Sequence, residues 1–300
     1  MSAAAETAAL TKFYGKQRGV AGLDLEVRHG EVFGFLGPNG AGKTTTIRLL
    51  LDLLRPSSGQ ARVLGLDSRR ESLAIRRRSG YLPGELSLYG GLTGHETLRY
   101  FAKLRGGVDW SYVAQLQERL SCELDKKVAD LSTGNRRKVG LIQALMHRPE
   151  LLILDEPTSG LDPLVQHEFA RLVDEARDAG QTVFLSSHVL PEVQRVCDRV
   201  AFVRAGELVA VENVDDLTGR AVRELEIVFA RPVAAAALAG VAGVTAAADG
   251  DHGVLVTVAG PMAPLIQALA ELEVVSLTSR EPDLDDVFLT YYTEGGDRAP

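Results

Sequence analysis

Three hundred residues, 45% of them hydrophobic, suffice for one large domain or for a large and a small one, each with its own core. Lysine and arginine number 33 against 40 acidic residues, a net charge of −7 without a polybasic tail, which argues against nucleic acid as a partner. Cys122 and Cys197 stand outside any CxxC or Cys/His spacing, so neither a disulfide framework nor a zinc site is expected, and a reducing compartment fits.

Met1 to Leu10 lacks the basic-then-apolar pattern of a signal peptide. Val233 to Ala248, mostly alanine, glycine and valine, falls short of the roughly 18 strongly apolar residues that a spanning helix needs. Residues Glu6 to Glu31 alternate loosely, with Leu23, Leu25 and Val27 at the two-residue spacing of a half-buried strand, and predict an antiparallel edge segment. Tyr14 in this stretch has two readings: a ring offered to a purine, or an aromatic packed in the core. The residues alone favour the core.

Val32 to Leu36 predicts a strand, and it leads into Gly37-Pro38-Asn39-Gly40-Ala41-Gly42-Lys43-Thr44, which fits G-x-x-x-x-G-K-[ST] at every fixed position. The chemistry explains the spacing. Glycines let consecutive N–H groups turn toward phosphate oxygens, Lys43 supplies a cation for the β/γ-phosphates, and Thr44 offers a hydroxyl to Mg²⁺. A helix expected over Thr44 to Leu54, with Thr45 in its first turn, points its positive end at the same phosphates. The stretch reads as a nucleoside triphosphate site.

Pro56 to Gly59 reads as a stop and turn, and the arginines at 69, 70, 76, 77 and 78 as a solvated helix face. Thr93-Gly94-His95-Glu96 is a capping box opening a helix through Leu104, and from there to Val128 the chain reads as helical, with Tyr112, Leu116 and Leu120 on one side. Together with the helix that ends before Pro149, this suggests a helical insert, about residues 86–147, in a sheet domain. Leu131-Ser132-Thr133-Gly134-Asn135 places a serine and a glycine at a helix N-terminus, a second anion site separate from the first.

Leu151-Leu152-Ile153-Leu154 is a strand buried on both faces of a parallel sheet, and it delivers Asp155 and Glu156 to the carboxyl edge where ligands sit. Asp155 suits Mg²⁺, usually through water, and Glu156 suits a general base for an attacking water. Asp162 is expected to cap a helix with Pro163 at its first position, running to about Ala179 with Val165, Phe169, Leu172 and Ala176 inward. Thr182 to Ser187 predicts another strand, whose carboxyl end presents His188 toward a γ-phosphate.

These motifs stand in the order found in the ATP-binding subunits of ABC transporters, which the chain resembles over residues 1–220. Gly37 to Thr44 resembles the Walker A loop, Leu131 to Asn135 the signature, Leu151 to Glu156 Walker B with its glutamate, Ser159 to Asp162 the D-loop, and His188 the switch histidine. The resemblance implies an α/β fold of the P-loop NTPase, ABC ATPase type: a parallel-sheet core, an antiparallel β edge and a helical subdomain. It implies ATP and Mg²⁺ as cofactors, Tyr14 as the adenine-stacking aromatic, and a head-to-tail dimer in which Ser132, Thr133, Gly134, Asn135 and Asp162 face ATP bound to a second copy. A separate integral-membrane permease is implied as partner, with the subunit held peripherally at the cytoplasmic face of the membrane. Thr133 and Asn135 depart from the usual glycine and glutamine. Gly84 stands where the family usually has the Q-loop glutamine, and Glu85 is the expected substitute.

Residues 221–300 read as a separate α+β domain of βαββαβ order, closing in a helix with Leu284, Val287, Phe288 and Tyr291. Its ending, Glu281 to Phe288, resembles the extension of export-type ABC ATPases of drug and antibiotic efflux. A soluble ATPase acting on ribosomes or DNA is the alternative; its representatives carry two ATPase domains or long insertions, and neither is seen here. Import shares the same ATPase core, so only the C-terminal resemblance favours export.

Overall fold

The structure is a computed structural model and describes residues 3–220, 223–250 and 253–280. Contacts divide the chain into two units, Met1–Glu212 and Asn213–Pro300, so the sequence boundary at 220 falls at the end of a helix of the second unit.

The first unit opens with a hairpin of β1 (Ala5–Tyr14) and β2 (Gln17–Val27), antiparallel from Ala5 opposite Val27 to Tyr14 opposite Gln17. Leu23, Leu25 and Val27 point into the core, as their alternation requires. β3 (Val32–Leu36) feeds α1 (Lys43–Leu50), which stops short of the expected Leu54 as Asp52 takes a left-handed φ of +54°. Next come β4 (Ser58–Val63) and β5 (Leu66–Asp67). Pro56 to Gly59 is therefore more than a turn: Ser58 and Gly59 already belong to β4, which pairs antiparallel with β1.

After α2 (Ser72–Arg78) and β6 (Ser79–Leu82) the chain enters the helical region. Of the arginine cluster only 76–78 lie on α2, and Arg78 is not simply solvated: its guanidinium donates twice to the Glu150 carboxylate at 2.7 Å. α3 (Gly94–Leu104) begins at the capping box, where Thr93 Oγ1 accepts from Glu96 N at 3.2 Å and Glu96 Oε2 from Thr93 N at 2.8 Å. The helical reading from there to Val128 is interrupted. Gly106 and Gly107 take positive φ, Asp109 caps a separate α4 (Trp110–Arg119), and Ser121 at φ +47° turns the chain out of it. The buried residues are Val113, Leu116 and Leu120, while Tyr112 lies under the Arg148 guanidinium at 4.4 Å.

Then follow α5 (Thr133–Leu145), β7 (Leu151–Asp155), α6 (Pro163–Asp178), β8 (Thr182–Ser187), α7 (Leu190–Val196), β9 (Arg199–Arg204) and β10 (Glu207–Asn213). Asp162 caps α6, its Oδ1 accepting from Val165 N at 3.0 Å, with Val165, Phe169, Leu172 and Ala176 buried. The sheet order is β10-β9-β3-β8-β7-β6, parallel from β9 through β6. β3, β7 and β8 are buried along their whole length, which is why apolar residues follow one another in them without alternation, as in Leu151–Leu154 and Val183–Leu185, with the buried polar residues confined to strand ends. Phe33 and Phe184 stack at 6.0 Å between neighbouring strands. Because β3, β8, β7 and β6 are neighbours and parallel, residues 37–44, 188, 155–156 and 83–84 emerge side by side at one edge.

The second unit contains α8 (Val214–Arg220), β11 (Arg223–Phe229), a 3₁₀ turn at Ala235–Ala237, β12 (Val244–Asp249), β13 (Val254–Val258), α9 (Ala263–Ala270) and β14 (Val274–Arg280). Its antiparallel order β12-β13-β11-β14 packs Leu225, Ile227, Val254 and Val256 against Leu238, Leu265 and Leu269. The closing helix expected from the sequence lies outside the described residues.

Candidate nucleotide-binding and hydrolytic site

The loop between β3 and α1 lines a cleft with residues 38–45. Gly42 has φ +103°, and a Cβ there would meet the Gly19 carbonyl at 2.6 Å, so this turn admits only glycine. Lys43 is 6% exposed; its Nζ donates to the Gly37 carbonyl at 2.6 Å and stands 3.1 Å from Glu156 Oε1. The lysine thus joins the phosphate loop to the end of β7.

Asp155 and Glu156, adjacent in sequence, are held differently. Asp155 is fully buried: Oδ1 accepts from Ser186 Oγ at 2.6 Å, while Oδ2 has no hydrogen-bond partner among the described residues. A buried, unpaired anionic oxygen is costly unless a cation or water meets it. Asp155 itself is not on the cleft wall, which Thr44 and Gly84, the latter next to Asp155 Oδ2, do line; a carboxylate oxygen and a hydroxyl are the donors that fit Mg²⁺, which takes one or two protein ligands and keeps its waters. Glu156 has φ +51°, a conformation that β- and α-forming residues avoid, and its N–H is shared between Ser186 O at 3.2 Å and Ser186 Oγ at 3.1 Å. The turn swings its carboxylate to the cleft, where Oε2 lies 2.7 Å from His188 Nδ1. The histidine donates there through Nδ1, which leaves Nε2 outside that bond.

The cleft has a volume of about 610 Å³ and unites Tyr14, Pro38, Asn39, Gly40, Ala41, Gly42, Lys43, Thr44, Thr45, Glu156 and His188. Tyr14 is 45% exposed, with its hydroxyl 3.5 Å from Thr45 Oγ1, so the core reading of this ring is overturned. Gln17, Arg18 and Gly19, at the start of β2, also line the cleft, and sequence reasoning missed them; their nearness to Tyr14 in a tight hairpin was the available signal. Ser159 lines it as well.

Other expected site residues are not brought there. Glu85 is exposed and absent from the cleft wall, where Gly84 appears; a Cβ on Gly84 would sit 3.1 Å from Asp155 Oδ2. The expected replacement of the glutamine by Glu85 therefore lacks the geometry it needs. Ser132, Thr133, Gly134, Asn135 and Asp162 also lie off the cleft wall. Ser132 Oγ accepts from Asn135 N at 3.1 Å as the cap of α5. The Asn135 amide is occupied with the Glu123 backbone, donating to its carbonyl at 2.6 Å and accepting from its N–H at 2.8 Å. Asp162 Oδ2 lies 3.8 Å from Lys138 Nζ. Arg137, passed over in the sequence as one of three basic residues, is buried between the loops after β6 and β7; burial lowers its pKa while Asp155 and Glu156 oppose that shift.

The comparisons with known proteins agree with this geometry. Residues 20–159 match the family model described as ABC transporter, and a second model, an AAA domain, matches residues 127–193. The bacitracin transport ATP-binding protein BcrA of Bacillus licheniformis is 40% identical over 229 residues, 75% of this chain and 75% of the relative. The daunorubicin/doxorubicin resistance ATP-binding protein DrrA of Streptomyces peucetius is 38% identical over 305 residues, covering 95% of this chain and 91% of the relative. Among solved structures, an ATP-binding subunit of an ABC transporter superposes with a TM-score of 0.65 at 31% identity, over 71% of this chain and 91% of that one. A phosphate loop, two carboxylates and a histidine on adjoining strand ends, together with relatives that match most of the chain, make this protein a member of the ABC transporter ATP-binding family.

Proposed function

We propose that this ATPase is the energising subunit of an exporter of drugs, antibiotics or similar hydrophobic compounds, working through a separate permease at the cytoplasmic face of the membrane. The observation that carries the hydrolytic part is the Glu156 carboxylate, 3.1 Å from Lys43 and 2.7 Å from His188 at the lip of the phosphate loop. The names of the relatives, one a bacitracin transport protein and the other a daunorubicin/doxorubicin resistance protein, support export. No described helix is long and apolar enough to cross a membrane, in keeping with a permease on another chain.

Tyr14 stacks on the adenine, the amides of Gly40 to Thr44 and the Lys43 ammonium hold the phosphates, and Thr44 with Asp155 holds Mg²⁺. Bound there, the ion neutralises charge on the β- and γ-phosphate oxygens. Glu156 takes a proton from a water whose oxygen forms the new bond to the γ-phosphorus as the bond to the β-bridging oxygen breaks, giving ADP and phosphate. His188 holds the Glu156 carboxylate in place and offers Nε2 to the γ-phosphate. The signature at Ser132 to Gly134 meets the γ-phosphate of a second copy, so two subunits in head-to-tail array complete two sites. We assign residues 1–220 to the ATPase domain and residues 221–300 to an accessory α+β domain; by contacts the division falls slightly earlier, between Glu212 and Asn213.

Glu156→Gln keeps a hydrogen-bonding side chain and removes the base. Steady-state hydrolysis should fall by about 100-fold or more, while ATP binding persists and ATP doubles the mass measured by light scattering. Hydrolysis at the wild-type rate by this variant would remove Glu156 from its assigned role.

A further inference from the structure

Helix α5 carries Ser132 to Gly134 at its N-terminus, and little more than a turn later Arg137 points inward. Only 5% of this residue is exposed, and among the described residues its guanidinium meets no carboxylate at hydrogen-bond distance. Instead it donates to backbone carbonyls on two loops. Nη1 reaches Pro83 O at 2.7 Å and Gly84 O at 2.9 Å; Nη2 and Nε reach Asp155 O, Glu156 O and, at 3.4 Å, Pro157 O. A planar fork with five donors suits such a bridge, and a lysine ammonium, compact on a flexible stem, does not span both loops.

Two features make the bridge consequential. Glu156 sits at φ +51°, and a residue in that region stays there only when its surroundings fix it from both sides. Ser186 holds its N–H and Arg137 its carbonyl. Gly84 has no side chain with which to fix its own loop against Asp155, and the same guanidinium holds its carbonyl. Helix α5 is thereby fastened through one side chain to both loops that border the reacting atoms.

We propose that Arg137 is the positioning residue that sets the Glu156 carboxylate for hydrolysis and couples it to the signature end of α5. The proposal rests on Glu156 being the base. Arg137 does not line the cleft; it acts through the backbone of residues 83–84 and 155–157.

The test uses the full chain with Arg137→Lys, which keeps a buried cation, and Arg137→Gln, which keeps a planar but uncharged donor in case the first variant packs poorly. Since misplacing a reacting group by about an ångström costs up to about 100-fold, kcat should fall between about 10- and 100-fold in both variants. KM for ATP and the Kd of a fluorescent ATP analogue should stay within about twofold, because the phosphate loop does not touch Arg137. Hydrogen exchange should quicken at the amides of residues 156 and 159 and not in α1. Unchanged kcat in both variants overturns the proposal, and so does a loss of kcat matched by an equal loss of nucleotide affinity, the mark of general damage. Glu156→Gln measured alongside separates the two readings: activity in that variant refutes the base, whereas its inactivity together with wild-type kcat in both Arg137 variants refutes the positioning role alone.

Discussion

Tyr14 presents a half-exposed ring to the cleft, with the Lys12 ammonium 5.5 Å from its centroid and Thr45 at its hydroxyl. Base stacking on an aromatic is worth about 1–3 kcal/mol by alanine substitution, so Tyr14→Ala should weaken ATP binding by about 5-fold or more. Fluorescent-analogue titration reads this directly, and it should leave Tm nearly unchanged because the ring is not in the core. An unaltered Kd would show that the ring does not stack. At this scale the sequence was legible wherever chemistry fixes a spacing: Lys43 and Thr44 follow from the loop pattern, and Asp155 and Glu156 from the strand that ends at them. It was opaque where a role depends on folding alone. Nothing along the chain distinguishes Arg137 from Arg136, and only the packing of α5 turns one inward. Glu85 was selected because it follows Gly84, but at this turn neighbouring side chains do not face the same way, and Gly84 takes the wall.

Among elements, the junction of α5 with β6 carries a titratable weak point. His147, just beyond α5, lies with Nε2 3.2 Å from the Ser79 carbonyl, and its Nδ1 is buried without a partner among the described residues. Burial, reinforced by the Arg105 guanidinium nearby, pushes its pKa down from 6.5 to about 4. The folded form therefore keeps the ring neutral while the unfolded chain takes up a proton below its ordinary value. Stability should fall as pH drops from 6.5 toward 4, and His147→Gln should flatten this slope in urea unfolding midpoints measured across that window. An identical slope in the variant would place the acid sensitivity elsewhere. Element positions were readable where pattern and punctuation coincide, as in β3, β8 and the capped α3. They were less so between Arg105 and Val128, where glycines at positive φ break a helix that the apolar spacing continues. β4 was hidden for the opposite reason, since Ser58 and Gly59 look like turn residues until β1 pairs with them.

For the whole molecule, the informative fact is one of separation: no residue of Ser132 to Asn135 lines the cleft that holds Lys43, Glu156 and His188. Order along the chain suggested a second anion site at Ser132 to Asn135 separate from the phosphate loop, and these residues do lie off the cleft wall. In the proposed head-to-tail pair, a Lys43→Ala chain and a Gly134→Asp chain each lack one half of every site in their own homodimers. Mixed, they form one site from the two unaltered halves, so ATPase activity should exceed the sum of the separate samples. No gain on mixing would mean that the signature does not complete a neighbour's site. The same separation makes turnover a question of dosage. Below the dissociation constant of the pair, each chain is half an enzyme, so activity per milligram should decline on dilution and rise again when subunits are held close together. On the proposed permease, chains tethered side by side would hydrolyse ATP where transport occurs, and unassembled copies would stay idle.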